Sequence, residues 1–231
     1  MKQLALAMPR PVGRPRKKQT SLQHKKRPFL TGREPVLVTA RVARSVANLR
    51  RMSIYNAFRR ALATSLAREG FRVVHLSIQR DHVHLLVEAR DTDELSRGMQ
   101  GLLISAARRI NACFRKRGTV FADRYHERII ASPTQCRNAL SYVLNNWRKH
   151  REDRYRTWTV DPFSSAVNFG GWRELESSNQ LFGTPDWYER LPTSTPETWL
   201  LRVGWTLNGL ISTRERPASQ TGVLIAAARR R

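Results

Sequence analysis

The order of apolar patterns between Pro35 and His150 restricts the folds that this chain can adopt. Short β-branched stretches indicate strands, and apolar residues that recur every three or four positions indicate helices. In chain order the patterns give strand, helix, strand, strand, helix and strand, followed by one added helix. We therefore predict an α+β domain of the ferredoxin-like type, with an antiparallel sheet and helices packed on one face.

The predicted elements have recognisable ends. Strands are predicted at 36–42, 71–78, 82–88 and near 128–130, with a further short β segment at 119–121. Helices are predicted over about 54–69, 94–117 and 132–148. The last of these has a strong start, because Ser132 can cap a helix, Pro133 suits its first position and Gln135 completes a capping box.

The regions on either side of this domain differ from it in composition. Residues 1–34 contain ten Lys and Arg, one acid and several prolines, so we expect a basic arm that is disordered without DNA. Within it, Gly13–Lys18 resembles the Gly-Arg-Pro hook of A·T-rich minor grooves, and a solvated charged tail is the simpler interpretation. Residues 151–231 hold five of the six tryptophans, and we expect a loop-rich appendage of unknown role or one packed onto the core.

The net charge indicates a polyanionic partner. Lys and Arg total 42 against 18 Asp and Glu, which gives a formal charge of +24. This excess argues against an ordinary metabolic enzyme and favours nucleic acid over an anionic membrane surface. We expect no membrane span, since no apolar run approaches the roughly 20 residues required. Two cysteines suit a reducing compartment, so a cytoplasmic location is expected.

His82 and His84 are the first candidate site residues. Side chains two apart on a strand project from the same face, so both imidazoles should lie together while Val83 enters the core. Two neutral imidazoles side by side can supply two adjacent ligands of a metal ion. A His-x-His pattern on a surface strand also occurs without any such role.

Tyr142 and Asn146 are the second candidate pair. Residues four apart share one face of a helix, so a phenol and an amide should point the same way. Core packing of Tyr142 and helix capping by Asn146 explain the same spacing, and Asn145 is a competing amide. A tyrosine hydroxyl has a pKa of about 10, so it needs activation before it can act as a nucleophile at neutral pH.

Together these residues offer the parts needed to cleave a phosphodiester. A divalent cation can neutralise the phosphate while a tyrosine oxygen displaces the 3′-oxygen. The products are a 5′-phosphotyrosine and a free 3′-hydroxyl, and the covalent bond allows the break to be resealed to another strand.

Several motifs resemble those of a known family. His82-Val83-His84 is similar to the His-hydrophobic-His signature of HUH single-strand nucleases, and Tyr142 with Asn146 resembles the single-tyrosine subgroup. The stretches 120–128 and 139–146 look like the REP-associated tyrosine transposases, which belong to the wider insertion-sequence type.

This resemblance implies a ferredoxin-like core, Mg²⁺ or Mn²⁺, and cleavage of single-stranded DNA beside a hairpin. It implies His82 and His84 as metal ligands, Asn146 as the third ligand and Tyr142 as the nucleophile. Related insertion-sequence enzymes have Gln at the third-ligand position, and Trp147 stands where REP-associated members often have Pro. Trp147 can instead stack on a base. Because two imidazoles favour softer ions than Mg²⁺, the choice of metal rests on the resemblance alone.

Other polar residues compete for roles at the site. Tyr125 is the rival nucleophile, but neighbouring strand residues face opposite sides, so Tyr125 and His126 should diverge. His75 is expected either on the surface that carries the two ligands or buried in the hairpin. Asp81 and Glu88 either orient an imidazole or are solvated charges at the strand ends. His24 and His150 have no partners that the sequence identifies.

Three functions follow from these residues. The first is a metal-dependent strand transferase that acts on single-stranded or hairpin DNA as a monomer or homodimer. The alternative is a non-catalytic protein that binds structured nucleic acid and carries the histidine pair incidentally. The third, a phosphodiesterase that uses water, usually needs more carboxylate ligands than this chain offers.

Overall fold

The computed structural model describes residues 28–46, 48–153, 157–176 and 182–217. Within these residues the predicted order of elements is confirmed, and a short fourth helix follows. The elements are β1 (Val36–Arg41), α1 (Met52–Ser65), β2 (Phe71–Ile78), β3 (His82–Ala89), α2 (Thr92–Cys113), β4 (His126–Ile129), α3 (Pro133–Lys149) and α4 (Trp199–Arg202). Most of the predicted basic arm, including Gly13–Lys18 and His24, lies outside the described residues.

The four strands form one antiparallel sheet in the order β2-β3-β1-β4. The two central strands are β1, the first strand of the domain, and β3, the second strand of the hairpin. This order, with one helix after β1 and another after β3, is the ferredoxin-like arrangement that the sequence predicts.

Helices cover both faces of the sheet. The first face carries α1 and α2 over a core that includes Val38, Phe58, Leu85 and Met99. The added helix α3 packs on the second face over Leu37, Leu86, Leu140 and Leu144, among others. The third helix therefore lies opposite the other two, a placement that the order of sequence patterns does not specify.

The residues after α3 pack against both cores. Phe169, Trp172 and Trp205 join the core beneath α3, and Phe163 joins the core beneath α1 and α2. A buried ion pair, Arg50 with Asp161 at 2.8 Å, links this segment to the start of α1. The described residues between 157 and 217 therefore contribute to the cores on both faces of the sheet.

Some element ends differ from the predictions. The expected β segment at 119–121 is a single bridge between Phe121 and Val42. The helix α2 ends at Cys113 rather than Arg117, because Arg115 adopts a left-handed backbone with φ of 50°. At the amino end, Leu30 is buried in the first core, so the last residues of the predicted arm are packed.

Among the described residues, none of the helices combines the length and the apolar character needed to cross a bilayer.

Candidate active site

The two histidines lie at the start of β3, on the face of the sheet that α3 covers. His82 and His84 are 7% and 1% exposed, and their ring centroids are 4.5 Å apart. The Nδ1 atom of His84 lies 2.9 Å from Oγ1 of Thr39, its cross-strand neighbour on β1. The Nδ1 atom of His82 lies 2.6 Å from Oδ1 of Asp81. With both Nδ1 atoms engaged, each imidazole retains Nε2 for a ligand.

The helix α3 brings Tyr142 to this pair. The Tyr142 hydroxyl lies 3.3 Å from Nε2 of His84, and the two ring centroids are 4.8 Å apart. The capped start of α3 fixes this position, since the Ser132 hydroxyl accepts from the Gln135 backbone N–H as the sequence predicts. The structure therefore places the predicted nucleophile beside one of the predicted ligands.

Asn146 follows Tyr142 by one helical turn and is completely buried. Neither its Oδ1 nor its Nδ2 has a hydrogen-bond partner among the described residues. An unsatisfied buried amide costs about 1–3 kcal/mol, and a ligand at this amide would recover part of that cost. The rival amide is anchored at one atom, because Asn145 donates from Nδ2 to the Ser212 carbonyl at 2.9 Å, although its Oδ1 has no partner among the described residues.

Burial and nearby positive charges favour the neutral form of His84. Burial lowers the pKa of His84 well below its usual value, and the charges of His82, His150 and Lys149 lower it further. A neutral imidazole has a free lone pair, and one with so low a pKa is a weak proton acceptor. Both properties suit a metal ligand better than a general base.

The pKa of Tyr142 shifts in the opposite direction. Burial raises the pKa of Tyr142, and the positive charge of Arg41 offsets part of that rise. Arg41 lies at the exposed end of β1, directly opposite His82 in the sheet register. A second cation, the Lys149 ammonium, lies 5.2 Å from the centroid of the Tyr142 ring. Positive charge near the phenol favours its ionised form.

Sequence reasoning missed three members of this site, His150, Thr39 and Arg41. The ring centroid of His150 lies 5.3 Å from that of His82, although no sequence pattern assigned His150 a partner. Its position eight residues after Tyr142, about two helical turns further on, is the signal that could have found it. Thr39 and Arg41 reach the site through the pairing of β1 with β3, which no local pattern encodes.

Other predicted candidates lie elsewhere. Tyr125 is buried in the first core, on the opposite face of the sheet from Tyr142. Trp147 is completely buried, so the prediction that it stacks on a base is wrong. Glu88 is buried near α4, where its carboxylate accepts from the Thr198 backbone and hydroxyl, so it orients no histidine. His75 contacts Ser165, with 3.1 Å between Nδ1 and Oγ.

The described residues contain no group of three or more His, Cys, Asp or Glu side chains arranged for a metal ion. The candidate set is different in kind, since it combines two imidazoles with one amide. Its fit rests on the engaged Nδ1 atoms of His82 and His84 and on the unpartnered amide of Asn146. Imidazole nitrogens and an amide oxygen are donor types that divalent ions accept, and both the ion and the ligand roles of the three residues stay predictions.

Comparison with known proteins gives three results. In solved structures the fold resembles a REP-associated tyrosine transposase bound to a REP hairpin, with 14% identity and a TM-score of 0.54 over 77% of this chain and 100% of that one. A putative transposase from Deinococcus radiodurans R1 matches at 14% identity over 59% of this chain and 99% of that chain, with a TM-score of 0.35. No curated protein matches the sequence.

A family model matches part of the chain. It describes IS200-like transposases and covers residues 38–146, a range that contains all four predicted site residues. Residues 38–146 are therefore similar to the IS200-like transposases.

Proposed function

We propose that this protein cleaves and rejoins single-stranded DNA beside hairpins, through a covalent 5′-phosphotyrosine at Tyr142. The observation that carries the proposal is the 3.3 Å approach of the Tyr142 hydroxyl to Nε2 of buried His84. A tyrosine that served only as packing would have no need of a histidine pair held in place by Thr39 and Asp81.

In the proposed step the Tyr142 oxygen attacks the phosphorus of a phosphodiester. The bond from that oxygen to phosphorus forms as the bond from phosphorus to the 3′-oxygen breaks. In net terms the phenolic proton ends on the released 3′-oxygen. Arg41 and Lys149 provide positive charge near the phenol and the phosphate, which stabilises the developing negative charge.

His82, His84 and Asn146 would hold the divalent ion, Mg²⁺ or Mn²⁺, in this proposal. When bound, such an ion neutralises the phosphate and stabilises the transition state. His84 has a single free nitrogen, Nε2, and the Tyr142 hydroxyl contacts that atom. His84 would hold the ion through that nitrogen, which would then no longer be a hydrogen-bond partner of the Tyr142 hydroxyl.

The proposed substrate is DNA with an unpaired strand next to a hairpin. The formal charge of +24 favours a nucleic acid, and the structurally similar REP-associated transposase was solved with a REP hairpin. We propose further that the protein works in the cytoplasm as a monomer or homodimer.

A covalent-adduct assay tests the proposal. Full-length protein mixed with Mn²⁺ and a panel of hairpin oligonucleotides with single-stranded flanks should give a protein–DNA band that survives denaturing electrophoresis. Tyr142→Phe removes the attacking oxygen, so the band should disappear. Tyr125→Phe is the matched control, since Tyr125 lies in the other core, and it should keep the band.

Two outcomes would contradict the proposal. A band that survives in Tyr142→Phe and disappears in Tyr125→Phe would transfer the role to Tyr125. Tight DNA binding that chelator leaves unchanged, with no adduct on any oligonucleotide, would support the non-catalytic nucleic-acid binder instead.

A further inference from the structure

A cleft of about 240 Å³ opens beside Tyr142 and serves none of the roles described so far. It lies between β1, the end of β4, the first half of α3 and residues 215–217. Its floor is apolar, formed by Leu37, Ile130 and Ala139. Because Tyr142 also lines the cleft, whatever occupies it lies next to the proposed scissile phosphate.

The polar groups around this cleft are of two kinds. Glu215 is fixed, because Arg137 holds its carboxylate through two contacts of 2.9 Å and Ser141 donates to it at 2.8 Å. Asn138 and Arg128 are free, since neither side chain forms a hydrogen bond or ion pair with any residue that the structure describes. An amide and a guanidinium without partners, beside an apolar surface, are groups that can orient a ligand.

This chemistry matches one nucleotide of an unpaired strand. An apolar floor accepts the face of a base, an amide can pair with a base edge, and a guanidinium can pair with a phosphate. Ligand pockets for drug-sized molecules hold about 300–1,000 Å³, so this smaller cleft suits a single base rather than a dinucleotide. A base can enter only when it is unstacked and unpaired, which fits a single-stranded substrate.

We propose that this cleft binds the base of a nucleotide flanking the scissile phosphate, with Asn138 reading its edge and Arg128 contacting its phosphate. The inference deepens the proposed function and rests on it. In this proposal, residues of α3 and β4 select the base next to the cleaved bond.

An abasic scan tests the inference with the full chain, Mn²⁺ and one hairpin oligonucleotide that forms the adduct. Each unpaired position is replaced in turn by an abasic nucleotide, which keeps the phosphate and removes the base. Adduct yield should fall by roughly tenfold or more at one position adjacent to the cleaved bond, because the stacked base is lost. Other unpaired positions should change much less.

Asn138→Ala separates base reading from structure. At the sensitive position, the ratio of adduct yields among the four natural bases should narrow in Asn138→Ala. With the abasic oligonucleotide, Asn138→Ala should behave as the unmodified chain does. Gln100→Ala is the matched control, because Gln100 is exposed on α2 over the other face of the sheet, and it should leave the base ratios unchanged.

Failure of the inference differs from failure of the proposed function. If the adduct forms and no abasic position affects it, the cleft does not bind a base, whereas the tyrosine chemistry stands. If no oligonucleotide gives an adduct, binding of the same panel by fluorescence anisotropy replaces the readout. The inference is then overturned if no single abasic position weakens binding, or if Asn138→Ala leaves the preference among bases intact.

Discussion

At the scale of single residues, Asn146 should lower the stability of the ion-free protein and contribute to ion binding. Its amide is completely buried without a partner, so Asn146→Leu, a change of similar size, should stabilise the ion-free protein by about 1–3 kcal/mol. The same change removes a proposed ligand, so the rise in melting temperature on adding Mn²⁺ should be lost. Thermal unfolding with and without Mn²⁺ measures both effects.

Asn145→Leu is the matched control for that experiment. Asn145 donates to the Ser212 carbonyl, so its replacement should lower stability and leave the response to Mn²⁺ intact. The prediction is contradicted if Asn146→Leu melts at a lower temperature than the unmodified chain and its melting temperature still rises with Mn²⁺. Asn146 would then neither destabilise the ion-free protein nor bind the ion.

His75 should make the fold sensitive to acid. Burial lowers the pKa of His75 to about 4, whereas an unfolded histidine titrates near 6.5. The folded state therefore binds fewer protons than the unfolded state, and stability falls as pH drops from about 6.5 to about 4. Arg190 and Arg202 line the same pocket as His75.

Urea unfolding at pH 7.5 and pH 4.5 checks this prediction. The unmodified chain should lose about 2 kcal/mol more than His75→Asn does over that interval, since each pKa unit corresponds to roughly 1.4 kcal/mol. His126→Asn is the control, because His126 is exposed on β4 and should leave the pH dependence as it is. Equal losses in the unmodified chain and His75→Asn would refute the role of His75.

At the scale of elements, local signals predicted ends well where one side chain caps one backbone group. Ser132 accepts from the Gln135 backbone N–H, as its sequence position implies, and at the start of α2 Asp91 accepts from the Glu94 backbone N–H. The end of α2 was missed because Arg115 turns left-handed, a conformation that its residue type disfavours. The 119–121 segment has β-type residues, but it pairs only with the end of β1, through the bridge between Phe121 and Val42.

Gly98 shows how tightly α2 approaches the sheet. A Cβ added at this position would lie 2.1 Å from Cγ of Phe71, a buried residue of β2. Gly98→Ala gains up to about 1 kcal/mol of helix propensity, but the clash costs about 1–3 kcal/mol or more. We therefore expect a net loss of stability in chemical denaturation.

Gly101→Ala is the matched control on the same helix. Its added Cβ would meet the end of the Arg68 side chain at 3.1 Å, and that flexible end can move aside. Gly101→Ala should therefore stabilise the protein by about 0.5–1 kcal/mol. A Gly98→Ala variant that gains as much as Gly101→Ala would mean that the ring of Phe71 has room to shift.

At the scale of the whole molecule, the sequence predicted those site residues whose partners lie close along the chain. His82 with His84, and Tyr142 with Asn146, are pairs whose spacing alone places them on one face of a strand or helix. The two pairs come together because α3 lies across the second face of the sheet, and that placement results from packing rather than from any local pattern. The same limit applies to the segment from 157 to 217. Its tryptophans predict burial, but no local pattern identifies the surface against which they pack.

The charge of the whole molecule predicts how salt will separate DNA binding from chemistry. Each contact with a phosphate of a single strand releases condensed counterions and contributes about −0.7 to the slope of log affinity against log salt. With a formal charge of +24, we expect a slope steeper than about −3, measured by fluorescence anisotropy of a hairpin oligonucleotide between 50 and 200 mM salt. The contact between Tyr142 and His84 is partly buried and joins two uncharged groups, so salt screens it little. At protein concentrations that saturate the DNA, we therefore expect the rate of adduct formation to depend on salt less steeply than affinity does. A rate that falls in parallel with affinity would show that the exposed charge of Arg41 dominates the chemical step.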